Sequence, residues 1–256
     1  MPFTLSHPLA VIPLARTRLV FSALVFGSMS PDFEYFLRLQ QHRHTSHTLT
    51  GLILFCLPAT LVVLWLWHEV LKRPLIELAP EAHRRRLIGL TGGFSFGPVR
   101  RFACICSSIL IGAATHIAWD SFTHGWGWPV HHLSFLQTEI ALPGVSPKPL
   151  YRHLQHASTL IGFLSLGGLY WMWFRRTQPV TNEPGFIRPV WRPAFYVTAG
   201  VAAFAYSAAM ALQRFPLNDP ENFRGFVVRT GVVAMSTFAL FALSYALWFR
   251  YRFPRR

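Results

Sequence analysis

The chain has 256 residues, 52% of them hydrophobic and only 13% charged, about half the charged fraction of an average soluble domain. That composition excludes an ordinary soluble enzyme. The formal net charge of +14 would suggest nucleic acid in a soluble protein, but in a membrane protein it reports orientation and anionic headgroups, so membrane lipids are the expected partners and nucleic acid is not.

The N-terminus has no basic leader before its apolar run and no Ala-x-Ala cleavage site, so no removable signal peptide is expected. Leu19 to Ser30 is apolar over only 12 residues, which suits a buried or re-entrant helix better than a span. Ser30-Pro31-Asp32 reads as a helix start, with Ser30 as N-cap, Pro31 in the first helical position and Asp32 in the first turn. Ser6-His7-Pro8 repeats the pattern. Short N-terminal helices are therefore expected to pack beside a bundle.

Five uncharged stretches follow that are long enough to cross a bilayer, which needs roughly 20 apolar residues and accepts about 17. They are Thr48 to Trp67, Phe102 to Trp119, Ala157 to Phe174, Ala194 to Gln213 and Thr230 to Phe249. The fold class is all-α, a polytopic membrane bundle. Positive residues alternate between its loops. Lys72, Arg73, Arg84, Arg85, Arg86, Arg100 and Arg101 lie between the first two spans, then Arg175, Arg176, Arg188 and Arg192, then Arg250, Arg252, Arg255 and Arg256 in the tail. The intervening loops hold only Lys148 and Arg152, and Arg214 and Arg224. By the positive-inside rule the C-terminus is cytoplasmic, and the second span ends on the outer, periplasmic side of a bacterial inner membrane. Residues 1–174 are expected to form a metal-site membrane domain, and 175–256 to add two spans and a basic tail. Cys56, Cys104 and Cys106 all fall in apolar spans and read as small core residues, not as a disulfide framework.

Histidines and aspartates collect on the expected outer side. His116, Asp120 and His124 stand at i, i+4 and i+8 at the outer end of the second span and would share one helix face. Neutral imidazole and anionic carboxylate suit zinc and neighbouring divalent metals; the alternative is a set of interfacial polar residues facing headgroups. His42-Arg43-His44-Thr45-Ser46-His47 precedes the first span and brings His44 and His47 to the same side, where headgroup contact competes with metal binding. His7 and Asp32 have a helix-start explanation, but the same placement adds them to the candidates. His131 and His132 follow Trp126 and Trp128 in an interfacial loop, and His153 and His156 lead into the third span. No Gly-x-Ser-x-Gly elbow, phosphate-binding Gly-rich loop or His-Glu-x-x-His helix occurs.

On these residues the chain resembles a family of bacterial multi-pass proteins known only as a domain of unknown function. The resemblance lies in Met1 to Pro8, Gly27 to Phe33, Thr45 to Thr48 and Thr115 to Gly125, and covers roughly residues 1–170. That family is similar in turn to YdjM-like membrane-bound metal-dependent hydrolases, and distantly to the zinc phospholipase C and fungal zinc nuclease group. Those soluble enzymes order their ligands as an early His, an Asp, a His, then His-x-x-x-Asp and further His, and His7, Asp32, His47, His116, Asp120 and His124 follow that order. They close a multi-zinc site with a second His-x-x-x-[Asp/Glu], whereas Ala157 follows His153 and Leu160 follows His156 at that spacing. The resemblance therefore implies a mononuclear or dinuclear centre.

What it implies is metal-dependent hydrolysis, with a divalent ion, zinc first, lowering the pKa of water to about 7 and polarising a phosphoryl or acyl oxygen. Asp32 and Asp120 are the candidate catalytic carboxylates, as ligands or as groups that orient a ligand or activate water. A site at headgroup depth favours a lipid-linked phosphoester. The alternative is a non-catalytic metal-binding or transport-accessory membrane protein; haem held by paired span histidines is disfavoured, since only His116 lies well inside a span.

Overall fold

The computed structural model describes residues 4–40, 45–143, 145–217 and 219–254. His42 and His44 of the histidine-rich segment, and Arg255 and Arg256 of the basic tail, lie outside the described residues. The fold is all-α with one small hairpin, and five helices are long and apolar enough to cross a membrane. An N-terminal 3-10 helix, Thr4–Arg16, leads into α1 (Phe21–Met29), a 3-10 turn Ser30–Asp32 and α2 (Phe33–Arg38). The first long helix, α3 (Leu49–Leu78), is followed by the short α4 (Glu81–Leu87) and the long α5 (Val99–Thr123). Short α6 (Trp128–His132) and α7 (Ser134–Gln137) precede an antiparallel hairpin of β1 (Glu139–Leu142) and β2 (Val145–Pro149). Then come α8 (Leu150–Arg176), α9 (Trp191–Leu212) and α10 (Pro220–Arg252).

The five expected spans lie within α3, α5, α8, α9 and α10, apart from one or two end residues. Their lipid-facing character shows in exposed large apolar side chains such as Leu160, Leu164, Val201 and Phe204, which water would not tolerate in such number on one protein but hydrocarbon does. Within α3 two π-helical stretches, Leu52–Cys56 and Leu66–Leu71, precede Pro58 and Pro74. A proline cannot donate to the carbonyl four residues back and its ring crowds it, so a widened turn before each proline lets the helix continue.

One reading is corrected. Ser30 is not an N-cap, because its backbone is already helical and its hydroxyl donates to the Gly27 carbonyl at 2.8 Å. The chain passes from α1 to α2 through a single tight turn at Pro31, and that turn points the Asp32 side chain into the protein interior.

The chain divides into two compact units: Met1–Phe33 with His44–Leu61 and Phe96–Trp173, and Glu34–Arg43 with Val62–Ser95 and Phe174–Arg256. In the first, α1 lies against α5 with their backbones in contact. A Cβ on Gly27 would strike the Ile109 carbonyl, and one on Gly112 would strike the Leu24 carbonyl and the Ser28 N–H. Small residues at a crossing let membrane helices approach closely. Leu52 and Cys56 of α3 pack on Ala113 of α5 in the same unit. In the second, α9 presents a stripe of buried small residues, Ala199, Ala203, Ser207 and Ala211, and packs along α10. Arg84 and Arg192 are buried there beside Glu77 and Glu81.

Candidate metal centre

Three separate parts of the first unit deliver the cluster. The close crossing of α1 and α5 sets Asp32, one turn beyond α1, opposite His116 and Asp120, which lie one turn apart on α5. Asp120 falls in the last turn of its helix, where the negative end of the helix dipole disfavours a carboxylate. Something other than helix stability keeps it there. His47 stands just before α3, whose N-cap is Thr48: the Thr48 hydroxyl oxygen accepts from the Gly51 N–H at 2.9 Å and its O–H donates to the Thr45 carbonyl at 2.8 Å. Those two bonds fix the turn that aims the imidazole. His7 comes from the 3-10 helix and stacks on the His116 ring, centroids 3.7 Å apart.

Asp32, His116 and Asp120 have no solvent exposure, and His7 has 4%. The imidazole Nε2 of His116 lies 3.7 Å from Asp32 Oδ1 and 3.6 Å from Asp120 Oδ2. His47 Nε2 lies 3.8 Å from Asp32 Oδ1 and 3.9 Å from Asp120 Oδ2. These separations are too long for hydrogen bonds. They are close to the donor spacing, about 3.3 to 3.6 Å, that a tetrahedron with metal–ligand distances of about 2.0 to 2.2 Å requires. The fifth residue, His7, brings its Nε2 within 3.7 Å of the other oxygen of Asp120, Oδ1. Among the described residues, the Nε2 atoms of His7 and His116 and both oxygens of Asp120 are buried with no hydrogen-bond partner, a state that costs stability unless a cation occupies the space between them.

Outer contacts orient these donors. His116 Nδ1 sits 2.8 Å from the Ser28 carbonyl; as a carbonyl only accepts, Nδ1 carries the proton and Nε2 presents its lone pair to the cluster. The Thr4 hydroxyl donates to Asp32 Oδ2 at 2.6 Å, which leaves Oδ1 turned toward His47 and His116. Ser46 Oγ lies 3.0 Å from His47 Nδ1. Burial above all, and then the neighbouring His116, lower the His7 imidazole from 6.5 to about 3, so His7 is neutral near pH 7 and keeps a lone pair available. Two buried carboxylates facing imidazole nitrogens are the donor set that divalent cations take. Two overlapping sets, His7 with Asp32 and His116, and His47 with His116 and Asp120, can each hold an ion.

Of the six sequence candidates, the structure brings His7, Asp32, His47, His116 and Asp120 together and sets His124 beside them. His124 follows the end of α5 at Thr123 and has extended backbone, yet its Nδ1 still lies 3.7 Å from Asp120 Oδ1. Its Nδ1 turns to the Asp120 backbone carbonyl at 2.9 Å and its Nε2 to Gln155 at 3.2 Å. His153 reaches the Ile140 carbonyl of the hairpin at 3.3 Å, and His131, His132 and His156 are exposed. Sequence reasoning missed Thr4, Ser28 and Gln155, which position the histidines and Asp32, and Trp126, whose ring meets those of His47 and His124 at 6.4 and 5.7 Å. The main-chain carbonyl of Ser28 leaves no signal in residue type. The periodicity of α8 does carry one for Gln155, which is buried while the adjacent His156 is exposed.

Across residues 1–247 the chain matches the model of a family described as a domain of unknown function (DUF4184), and it belongs to that family. No curated protein and no solved structure matches it.

Proposed function

We propose that the protein is an integral membrane metal-dependent hydrolase of phosphoesters, lipid-linked ones first, with its His/Asp centre on the periplasmic side of a bacterial inner membrane. The observation that carries this reading is the four-donor set of Asp32 Oδ1, His47 Nε2, His116 Nε2 and Asp120 Oδ2, spaced at 3.6 to 3.9 Å from one another along its four measured edges. A divalent ion held there, zinc by the preference of two imidazoles and two carboxylates, would supply Lewis-acid chemistry, polarising a phosphoryl oxygen and acidifying water. His47, His116 and Asp120 hold the ion and Asp32 completes the set, with Thr4 locking its carboxylate plane.

His7 stands at the edge of this arrangement. It faces Asp120 Oδ1 on one side and lines a cavity of about 280 Å³ on the other. Leu9, Trp119, Leu154 and Ile161 also line that cavity, and Trp119 and Ile161 are exposed on the apolar surface. An acyl or prenyl chain can lie in such a groove with its phosphate toward His7. The lipid-linked substrate class rests on this cavity, and the periplasmic location on the distribution of basic residues.

The second reading is a metal-binding or transport-accessory protein without turnover. What favours it is the supply of donors: with His7 and both Asp120 oxygens available besides the other three residues, protein atoms alone can fill a coordination sphere, leaving no position for water. The test is release of phosphate or headgroup from lipid phosphoesters in micelles containing zinc, manganese or chelator. Hydrolysis that needs metal and falls at least about a thousandfold in Asp120→Asn supports the hydrolase. Hydrolysis unchanged by chelator and by Asp120→Asn rejects it, and bound metal without release from any ester selects the second reading.

A further inference from the structure

The groove beside His7 belongs wholly to the first unit. Its walls come from the Thr4–Arg16 helix through Leu9 and Ala10, from α5 through Trp119, and from α8 through Leu154, Ala157 and Ile161, with His7 among them. Leu154, Ala157 and Ile161 recur at helical spacing, so one face of α8 forms a continuous wall. The facing walls are in contact: Gly162 of α8 lies so close to the N-terminal helix that a Cβ there would strike Ser6.

The groove is built for hydrocarbon. Among the described lining residues His7 is the only one that can ionise, and the Ser158 hydroxyl donates to the Gln155 carbonyl at 3.1 Å, which leaves it no proton for a ligand. His7 Nε2 lies 3.7 Å from Asp120 Oδ1, so the one ionisable side of the groove is the side that meets the metal cluster. Trp119 and Ile161 stand 45% and 57% exposed on two helices long and apolar enough to cross a membrane, so the groove opens sideways into lipid. Size limits the occupant. The volume, about 280 Å³, falls just below the range of about 300 to 1,000 Å³ that houses drug-sized ligands, which is room for one hydrocarbon chain and not for two.

We propose that the substrate is a single-chain lipid phosphate, that its chain enters the groove sideways from the bilayer, and that Ala10 and Ala157 determine which lipids are admitted. The proposal rests on the phosphoester reading of the metal centre and narrows it. A single chain is received whole, with its phosphate carried to His7 and the cluster. A diacyl lipid must bring a second chain that the groove cannot take, and that chain has to stay in the bilayer while the headgroup leaves it. Ala10 and Ala157 are small and exposed, so the space between the walls exists because neither carries a larger side chain, and a larger one at either position fills the groove without displacing a packed neighbour.

The experiment is native mass spectrometry of the full chain in detergent, titrated with phosphonates, whose carbon–phosphorus bond is not hydrolysed: dodecylphosphonate, butylphosphonate and the phosphonate analogue of dilauroyl phosphatidic acid. The wild type should retain dodecylphosphonate at least about tenfold more strongly than either of the others, since only it buries a full chain. Ala157→Phe should lower dodecylphosphonate retention by at least about tenfold, because the ring keeps several methylenes from burial, and should leave butylphosphonate unchanged. Ala10→Phe, which fills the groove from the N-terminal helix, should act alike. All proteins are compared in one detergent, which cancels partition of the chain into the micelle, and unchanged metal content and gel-filtration elution show that the variants remain folded. Undiminished dodecylphosphonate retention in both folded variants, or a diacyl analogue held as strongly as the single chain, overturns the proposal. Binding is read here without turnover, so the two readings fail separately. The expected retention pattern in a chain that hydrolyses no phosphoester would remove the hydrolase and keep the chain subsite, whereas metal-dependent hydrolysis with retention indifferent to Ala157→Phe would keep the hydrolase and remove the subsite.

Discussion

Both units bury charge, and they do so on opposite plans. In the second, Glu81 accepts from Arg84 at 3.0 and 3.1 Å and from Arg192 at 2.7 Å, while Arg84 and Arg192 also bind the Glu183 and Ala79 carbonyls. Glu81 meets both arginines directly there, while Glu77 stands 3.8 Å from Arg84. In the first, Asp120 faces imidazoles at 3.6 to 3.9 Å, at distances that leave room for an atom between donor and acceptor. Burial of ionisable groups therefore does not by itself mark a functional site. The distinguishing sign is whether the charges satisfy one another or converge on a point that none of them occupies.

Substitutions should separate the two clusters. Arg84→Met leaves Glu77 buried opposite an uncharged side chain, and loss of one partner from a buried pair costs about 3 to 5 kcal/mol. A large fall in the thermal transition in micelles is expected with metal per folded chain unchanged; metal lost in step with Arg84→Met would mean that the clusters are not independent. Gly112→Ala is the next largest. Its methyl group meets the α1 backbone, so α1 must shift, at a cost of about 1 to 3 kcal/mol. Because that shift moves the Ser28 carbonyl away from His116, metal affinity should weaken too. A destabilised Gly112→Ala with wild-type affinity would show that the crossing supports the fold but does not tune the site.

The smallest effect is acid sensitivity. Hydrogen bonds from Arg84 first, and then from Arg85 and Arg192, hold the Glu81 carboxyl below its ordinary 4.5. In acid the unfolded chain takes up a proton that the folded one refuses, so this contribution is full above about pH 4.5 and is lost as the pH falls below it. Glu81 is 38% exposed, so solvent screening keeps the term modest. Glu81→Gln should flatten the decline of the thermal transition below pH 4.5, and an identical decline in wild type and variant would remove Glu81 as its source.

The spans were legible because each is a long uncharged run, and a bilayer accepts little else. His116 and Asp120 were legible for the same reason that they are close: four residues on one helix share a face. Asp32 and His47 could be named as candidates but not positioned, since Asp32 meets α5 through the crossing at Gly27 and Gly112 and His47 through the packing of Leu52 and Cys56 on Ala113, and neither contact shows in residue type. At His124 the helix itself stops, since α5 ends at Thr123, yet the imidazole still stands 3.7 Å from the Asp120 carboxylate. The local pattern misled at Ser30, where a Ser-Pro-Asp sequence that would start a helix at a chain break instead bends a continuous one.

The most direct test of the metal centre is elemental analysis of the purified chain, wild type beside His116→Ala, after exposure to zinc and removal of loosely held ions. His116 belongs to both donor sets, so its loss cannot be covered by the other. The wild type should retain one or two ions per chain, and His116→Ala, still inserted and monodisperse, should retain less than about a tenth of that. Equal zinc in the two proteins, or a wild type that holds none, would contradict the account.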